Sequence, residues 1–302
     1  MALYLITGAT GLIGRQLVST LLKGGHEVRV LTRKAAEPWE GVQLWTWDPS
    51  TGTIPNAAIA NVDHIVHLAG ASIAKRWTAT YKKELAASRV ESATTLRDAL
   101  YKTGHRPKTI VSTSGINFYR DSADAVHTEE SPNGTDFLAQ LCNEWEYFTG
   151  SFAHYTAQNI ILRTGAVLAN QGGVVPHISP LIKNWTGAVM GSGKEWFSWI
   201  HLDDMVNLII HCSESKLEGG VYNAVSPTPV SQRDFMEELA KSLNRRILLP
   251  TLPGWILKLA IGEQSKLVLG SYKVSAKKIQ ATGFAFNHNS LDSALKDLAL
   301  KR

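Results

Sequence analysis

Residues 3–14 read LYLITGATGLIG, a short apolar run that passes straight into Gly8-x-x-Gly11-x-x-Gly14. The order is what carries information. A strand delivers the chain to a tight turn, which Gly8 allows to bend. Gly11 lets backbone approach a pyrophosphate, and Gly14 lets the next helix pack close to the strand. That helix is predicted by the apolar spacing of Leu12, Ile13, Leu17, Val18, Leu21 and Leu22. Its N-terminus offers free N–H groups and a positive dipole end to phosphates. Gly8, Thr10, Gly11, Leu12, Ile13 and Gly14 are therefore the expected cradle for a dinucleotide.

Outward from this turn, strand and helix patterns alternate. Strands are predicted over 27–32, 63–68, 109–113 and 159–167, with helices over 81–102 and 137–154. Such alternation predicts an α/β fold, a doubly wound parallel sheet covered on both faces. Past Ala169, Gly172, Gly173, Pro176, Pro180, Gly187, Gly191 and Gly193 are expected to break up regular structure. A helix over 203–212 and a strand over 220–224 follow, then helices over 231–242, 255–260 and 277–282 and a terminal one after Asn289. The expected division is a cofactor domain over 1–169, rejoined by 199–225, and a smaller substrate lobe from 170–198 and 226–302.

The composition narrows the function classes. The 302 residues are 44% hydrophobic and 19% charged, which suits a globular chain with a sizeable core. No run approaches the roughly 18 apolar residues of a membrane span. The N-terminal apolar run is broken at Thr7-Gly8 and reads as a strand, not a leader. Cys142 and Cys212 form no disulfide framework and no metal spacing, so the cytoplasm is the expected compartment. The net charge of +5 is scattered and gives no basic stripe for nucleic acid. A modest positive balance fits an anionic small ligand equally well, and the expected partner is a small-molecule substrate, with a second copy of the chain as a candidate.

The end of the second strand selects the cofactor. A carboxylate there would bond the ribose hydroxyls of NAD and repel a 2′-phosphate. This chain has Thr32-Arg33-Lys34, with no acid until Glu37. Arg33 and Lys34 suit a 2′-phosphate, and Thr32 adds a hydroxyl. NADP(H) is the expected cofactor. Leu68-Ala69-Gly70 ends another strand at the same edge, and its small residues leave room for the adenosine end.

These motifs, with STSG (112–115), LRTGAVL (162–168) and WIHLDDM (199–205), occur in the order of the extended short-chain dehydrogenase/reductase superfamily. The chain resembles its branch of nucleotide-sugar epimerases and dehydratases. It is most similar to an atypical NADP-binding epimerase-family subgroup, through IAKRW (73–77), LCNEWE (141–146), GSGKEWFSWIHLDD (191–204), GEQSKLVLG (262–270) and GFAF (283–286). The resemblance implies a Rossmann core, NADP(H), a C-terminal substrate lobe and cofactor contacts from Glu84, Arg89 and Val167.

It also implies a catalytic pattern that this chain departs from. Members of the superfamily use Ser or Thr with Tyr-x-x-x-Lys, the Lys lowering the Tyr pKa so that Tyr exchanges a proton while hydride moves. Ser114 stands at the hydroxyl position. The Tyr and Lys positions hold Phe137 and Leu141. Three readings stay open: Tyr119 donates the proton, Ser114 acts with water or the substrate, or the chain binds NADP(H) without turnover as a regulatory or sensor protein. Trp77, Trp196 and Trp199 border either a pocket or the core. His201, Asp203 and Asp204 do not make up a catalytic metal site. The Asp pair is expected to cap the next helix, with His201 ordering the loop.

Overall fold

β1 (Leu3–Thr7) is apolar, and Tyr4 to Thr7 are fully buried. The computed structural model describes residues 1–33 and 37–300, so Lys34 lies outside the described residues. After the glycine turn, α1 (Leu12–Lys23) buries Gly14, Leu17, Val18 and Leu21 on one face. Next come β2 (Glu27–Thr32), β3 (Val42–Thr46), β4 (His64–His67), α2 (Ala79–Thr103), β5 (Thr109–Gly115), α3 (Phe137–Gly150), β6 (Gln158–Thr164), α4 (Leu202–Glu214) and β7 (Gly220–Ala224). The seven strands form one sheet in the order β7-β6-β5-β4-β1-β2-β3. β1 runs parallel to β2 and β4, β2 to β3, and β4 to β5. This is the expected doubly wound α/β sheet, and the strand order reverses between β1 and β4. In such sheets that switch is where ligands bind, beyond the carboxyl ends of the strands.

The chain divides into two compact units. The first takes Met1–Gly115, Gln140–Arg163 and Val206–Tyr222. Its core joins Leu5, Leu31, Trp47, Ile65, Leu96, Ile110 and Phe152. The second takes Ile116–Ala139, Thr164–Met205 and Asn223–Arg302. Its core gathers Leu168, Ile178, Trp199, Phe235, Leu239 and Leu295.

The glycine- and proline-rich stretch is more regular than its composition predicts. A helix spans Val175–Lys183, with short strands at Trp196–Phe197 and Trp199–His201. Pro176 sits in the first turn, where the missing N–H costs nothing. Pro180 lies inside the helix, and Val175, Ile178 and Ile182 hold it by burial.

Candidate functional site

Two predicted segments meet at the switch point. Gly8 has φ +69°, and a Cβ there would stand 2.6 Å from the Leu68 carbonyl and 2.9 Å from the Ala69 nitrogen. Only glycine permits both the turn and this approach. The Thr7 hydroxyl accepts the N–H groups of Leu68 and Ala69, each at 3.2 Å, and lies 2.9 Å from His67 Nδ1. With both N–H groups accepted, its one proton goes to Nδ1. His67 is then the neutral tautomer with hydrogen on Nε2, which faces the Ser92 hydroxyl at 3.4 Å. Full burial pushes the His67 pKa down to about 4, in keeping with a neutral ring.

Thr10 and Gly11 are exposed at the mouth of α1, and Leu12 and Ile13 are half-buried. Gly11 caps the helix without any side-chain hydrogen bond, and the first turn carries no acid. A Cβ on Gly11 would meet only the Gly8 carbonyl oxygen, at 3.3 Å, whereas one on Gly14 would stand 2.5 Å from Ala9 Cα. Gly14 is thus required by packing. Gly11 leaves open space before unmatched N–H groups, as an anion needs.

Behind Gly70 lies Arg89, 7% exposed. Its Nη1 donates to the carbonyls of Leu85 (2.9 Å) and Ala71 (3.2 Å), and its guanidinium lies 4.6 Å from the centre of the Trp145 ring. Nε has no partner, and no carboxylate pairs with it among the described residues. Burial pushes its pKa down. A buried cation without a counter-charge is costly unless a ligand supplies one. Glu84, on the same helix, is exposed, as is Arg33 just past Thr32 at the end of β2. The Ala71 N–H donates to Ser88, which fastens the segment after β4 to α2.

Ser114 is buried near the end of β5, and its Oγ closes no hydrogen bond. On α3, Glu146 holds Arg163 in a buried two-point pair, Nε–Oε1 2.9 Å and Nη2–Oε2 2.8 Å. Reading the sequence for a cofactor did not single out Thr7, Ser88, Trp145 or Glu146. The one available signal was LCNEWE, which places Trp145 and Glu146 side by side on this helix.

Val167 and Tyr119 belong to the second unit. Val167 is half-buried in a short strand beside Ile200. Tyr119 is 1% exposed, donates to Asn223 Oδ1 at 2.6 Å and stacks on His127. Asp204, in the first turn of its helix, is bonded to a distant segment. It is buried and accepts the N–H groups of Asn287 (2.8 Å) and His288 (3.0 Å), tying down the chain before the last helix. His201, Asp203, His288 and Asp297 gather their ligand-type atoms within 4.8 Å. His201 Nδ1, however, accepts the Asp203 N–H at 3.2 Å, which leaves the proton on Nε2, 3.3 Å from Asp297. Nε2 closes no hydrogen bond in this arrangement.

Comparison with known proteins accords with this geometry. Residues 4–224 match the model of the NAD dependent epimerase/dehydratase family, and residues 252–298 match a domain of unknown function, DUF1731. The epimerase family protein SSP1921 of Staphylococcus saprophyticus is 32% identical over 299 residues, covering 98% of both chains. An Arabidopsis thaliana chloroplastic homolog of the epimerase family protein SDR39U1 is 33% identical, covering 96% of this chain and 85% of its own. The crystal structure of human epimerase family protein SDR39U1 (isoform 2) with NADPH superposes with a TM-score of 0.87 at 30% identity, covering 99% of this chain and all of that one. The chain therefore belongs to the NAD dependent epimerase/dehydratase family, the extended short-chain dehydrogenase/reductases.

Proposed function

We propose that the first unit binds NADPH and that the chain is a cytoplasmic oxidoreductase acting between a carbonyl and a hydroxyl on a small molecule. The observation that carries this is Arg89, a buried guanidinium with no carboxylate partner among the described residues, set behind Gly70 at the switch point of the sheet. The NADPH bound by the human relative supports the choice of cofactor. Thr10 to Gly14 would hold the pyrophosphate on the α1 N-terminus, and Leu68 to Gly70 would border the adenosine. Thr32 and Arg33 would take the 2′-phosphate, and Glu84 and Arg89 are further assigned contacts. NADPH, when bound, supplies a hydride.

Phe137 and Leu141 stand where the family pattern has its Tyr and Lys, so we assign the proton-handling role to Ser114. Its hydroxyl has no competing hydrogen bond and is free to polarise a substrate oxygen. Tyr119 is the weaker candidate, because its proton is committed to Asn223.

The test follows loss of reduced-nicotinamide absorbance over a panel of carbonyl compounds. Wild type turning over, with Ser114→Ala slower at unchanged NADPH affinity, supports the assignment. Equal rates remove Ser114 from the chemistry, and no turnover over the panel removes the enzyme reading.

A further inference from the structure

We propose that Trp145 is a positioning residue for the cofactor: its ring seats the buried Arg89 guanidinium, with the charge left unneutralised, for the diphosphate of the dinucleotide. This rests on the NADPH reading above. Arg89 comes from α2 and Trp145 from α3, and both are buried. The guanidinium carbon stands 4.6 Å from the centre of the Trp145 ring. Nη1 donates to the carbonyls of Leu85 and Ala71, and Nε has no partner. Two acids flank Trp145 in the chain. Glu144 is exposed, and Glu146 is committed to Arg163 through a two-point pair. α3 thus meets Arg89 with a π face, and no carboxylate pairs with the guanidinium among the described residues.

The chemistry explains the choice of residue. An arginine stays protonated in a protein interior. A carboxylate in place of the ring would neutralise it and repel an incoming phosphate. An aromatic face attracts the guanidinium through its quadrupole and adds no negative charge. The cation is therefore fixed before the ligand arrives, which removes an ordering cost from binding. Arg163 is the contrast, a buried guanidinium already matched by Glu146. Gly70 sets where Arg89 meets the ligand. Its missing side chain lets the guanidinium carbon stand 3.3 Å from the position a Cβ would take. Leu68 and Ala69, just before it, abut Gly8 of the glycine turn. The part of a dinucleotide that lies on such a turn is its diphosphate, so that group is the anion assigned to Arg89. Arg33, past the end of β2, is left to the 2′-phosphate. NADPH and NADH share the diphosphate, so the seat serves both.

Equilibrium titration with NADPH and with NADH tests this on Trp145→Leu, Trp145→Phe and Arg89→Met. Trp145→Leu should bind both cofactors about tenfold more weakly, by the same factor, and Trp145→Phe should regain part of the loss. In an Arg89→Met background, itself weak for both, Trp145→Leu should cost nothing more, because the ring acts through the guanidinium alone. Tryptophan fluorinated stepwise at position 145 keeps the shape of the ring and weakens the negative potential of its face. Affinity for both cofactors should then fall stepwise in a protein that folds as wild type does. Affinity indifferent to fluorination, or a Trp145→Leu loss that persists in Arg89→Met, overturns the proposal. A loss confined to NADPH overturns the diphosphate assignment. Wild type that binds neither cofactor overturns the NADPH reading itself, and the role of Trp145 with it.

Discussion

The Thr7 hydroxyl stands 2.9 Å from His67 Nδ1 while accepting two backbone N–H groups from the segment that follows His67. One small side chain thus ties the carboxyl ends of β1 and β4 together on either side of the switch point. Thr7→Val keeps the shape and removes the hydroxyl. It leaves the Ala69 N–H and one ring nitrogen unmatched in the interior, each costing about 1–3 kcal/mol, while the Leu68 N–H keeps the Thr7 carbonyl oxygen at 3.2 Å. Urea unfolding should show a loss of about 2–4 kcal/mol, together with weaker dinucleotide binding. A change within experimental scatter would show that the hydroxyl is not the tie.

His67 makes stability depend on pH. Its folded pKa of about 4 lies below the ordinary 6.5, so the unfolded chain takes up the proton first as pH falls. The contribution is complete above pH 6.5 and is lost as pH falls toward 4. His67→Asn keeps an acceptor for Thr7 but cannot titrate. The margin of wild type over that variant should narrow by about 3 kcal/mol between pH 7 and 4. A constant margin would mean that His67 is charged, or exposed, in the folded protein.

Gly14→Ala places a Cβ 2.5 Å from Ala9 Cα and 2.6 Å from the Gly8 carbonyl oxygen. Backbone must move, and overpacking of this kind costs about 1–3 kcal/mol or more. The melting temperature should drop by several degrees, with binding impaired as a consequence. An unshifted melting temperature would contradict the close packing of α1 on the turn.

The Glu146–Arg163 pair is buried on both sides. Glu146→Gln removes the charge and keeps the shape, leaving the guanidinium without its carboxylate. The expected loss is about 3–5 kcal/mol, measured by chemical denaturation. A loss under about 1 kcal/mol, the scale of surface pairs, would contradict the burial.

Local signals were legible in the sequence. The strand, three glycines and amphipathic helix of residues 3–23 lie next to one another in the chain, and the alternation that followed gave the doubly wound sheet. β3 was missed because Val42–Thr46 has no residue fully buried and so carries no apolar run. The helix at Val175–Lys183 was missed because two prolines outweigh, in local reasoning, a burial that only tertiary packing supplies. In the site, the contacts Thr7–His67 and Gly70–Arg89 join residues about 60 and 20 positions apart. No spacing rule predicts which hydroxyl meets which ring. Nor can a sequence tell that Arg89 is buried without a carboxylate among the described residues while Arg163, also buried, has one.

Equilibrium titration with NADPH and NADH, on wild type, Arg33→Ala and Gly11→Val, tests the central claim most directly. Wild type should bind NADPH well above NADH. Arg33→Ala should lose about 1.5–3 kcal/mol for NADPH, the scale of a charge-assisted hydrogen bond, and little for NADH. Gly11→Val should stay folded by circular dichroism, since its Cβ meets only one atom, at 3.3 Å, and should bind neither. Equal affinity of wild type for the two cofactors, or wild-type affinity in folded Gly11→Val, would contradict the placement of NADPH on this turn.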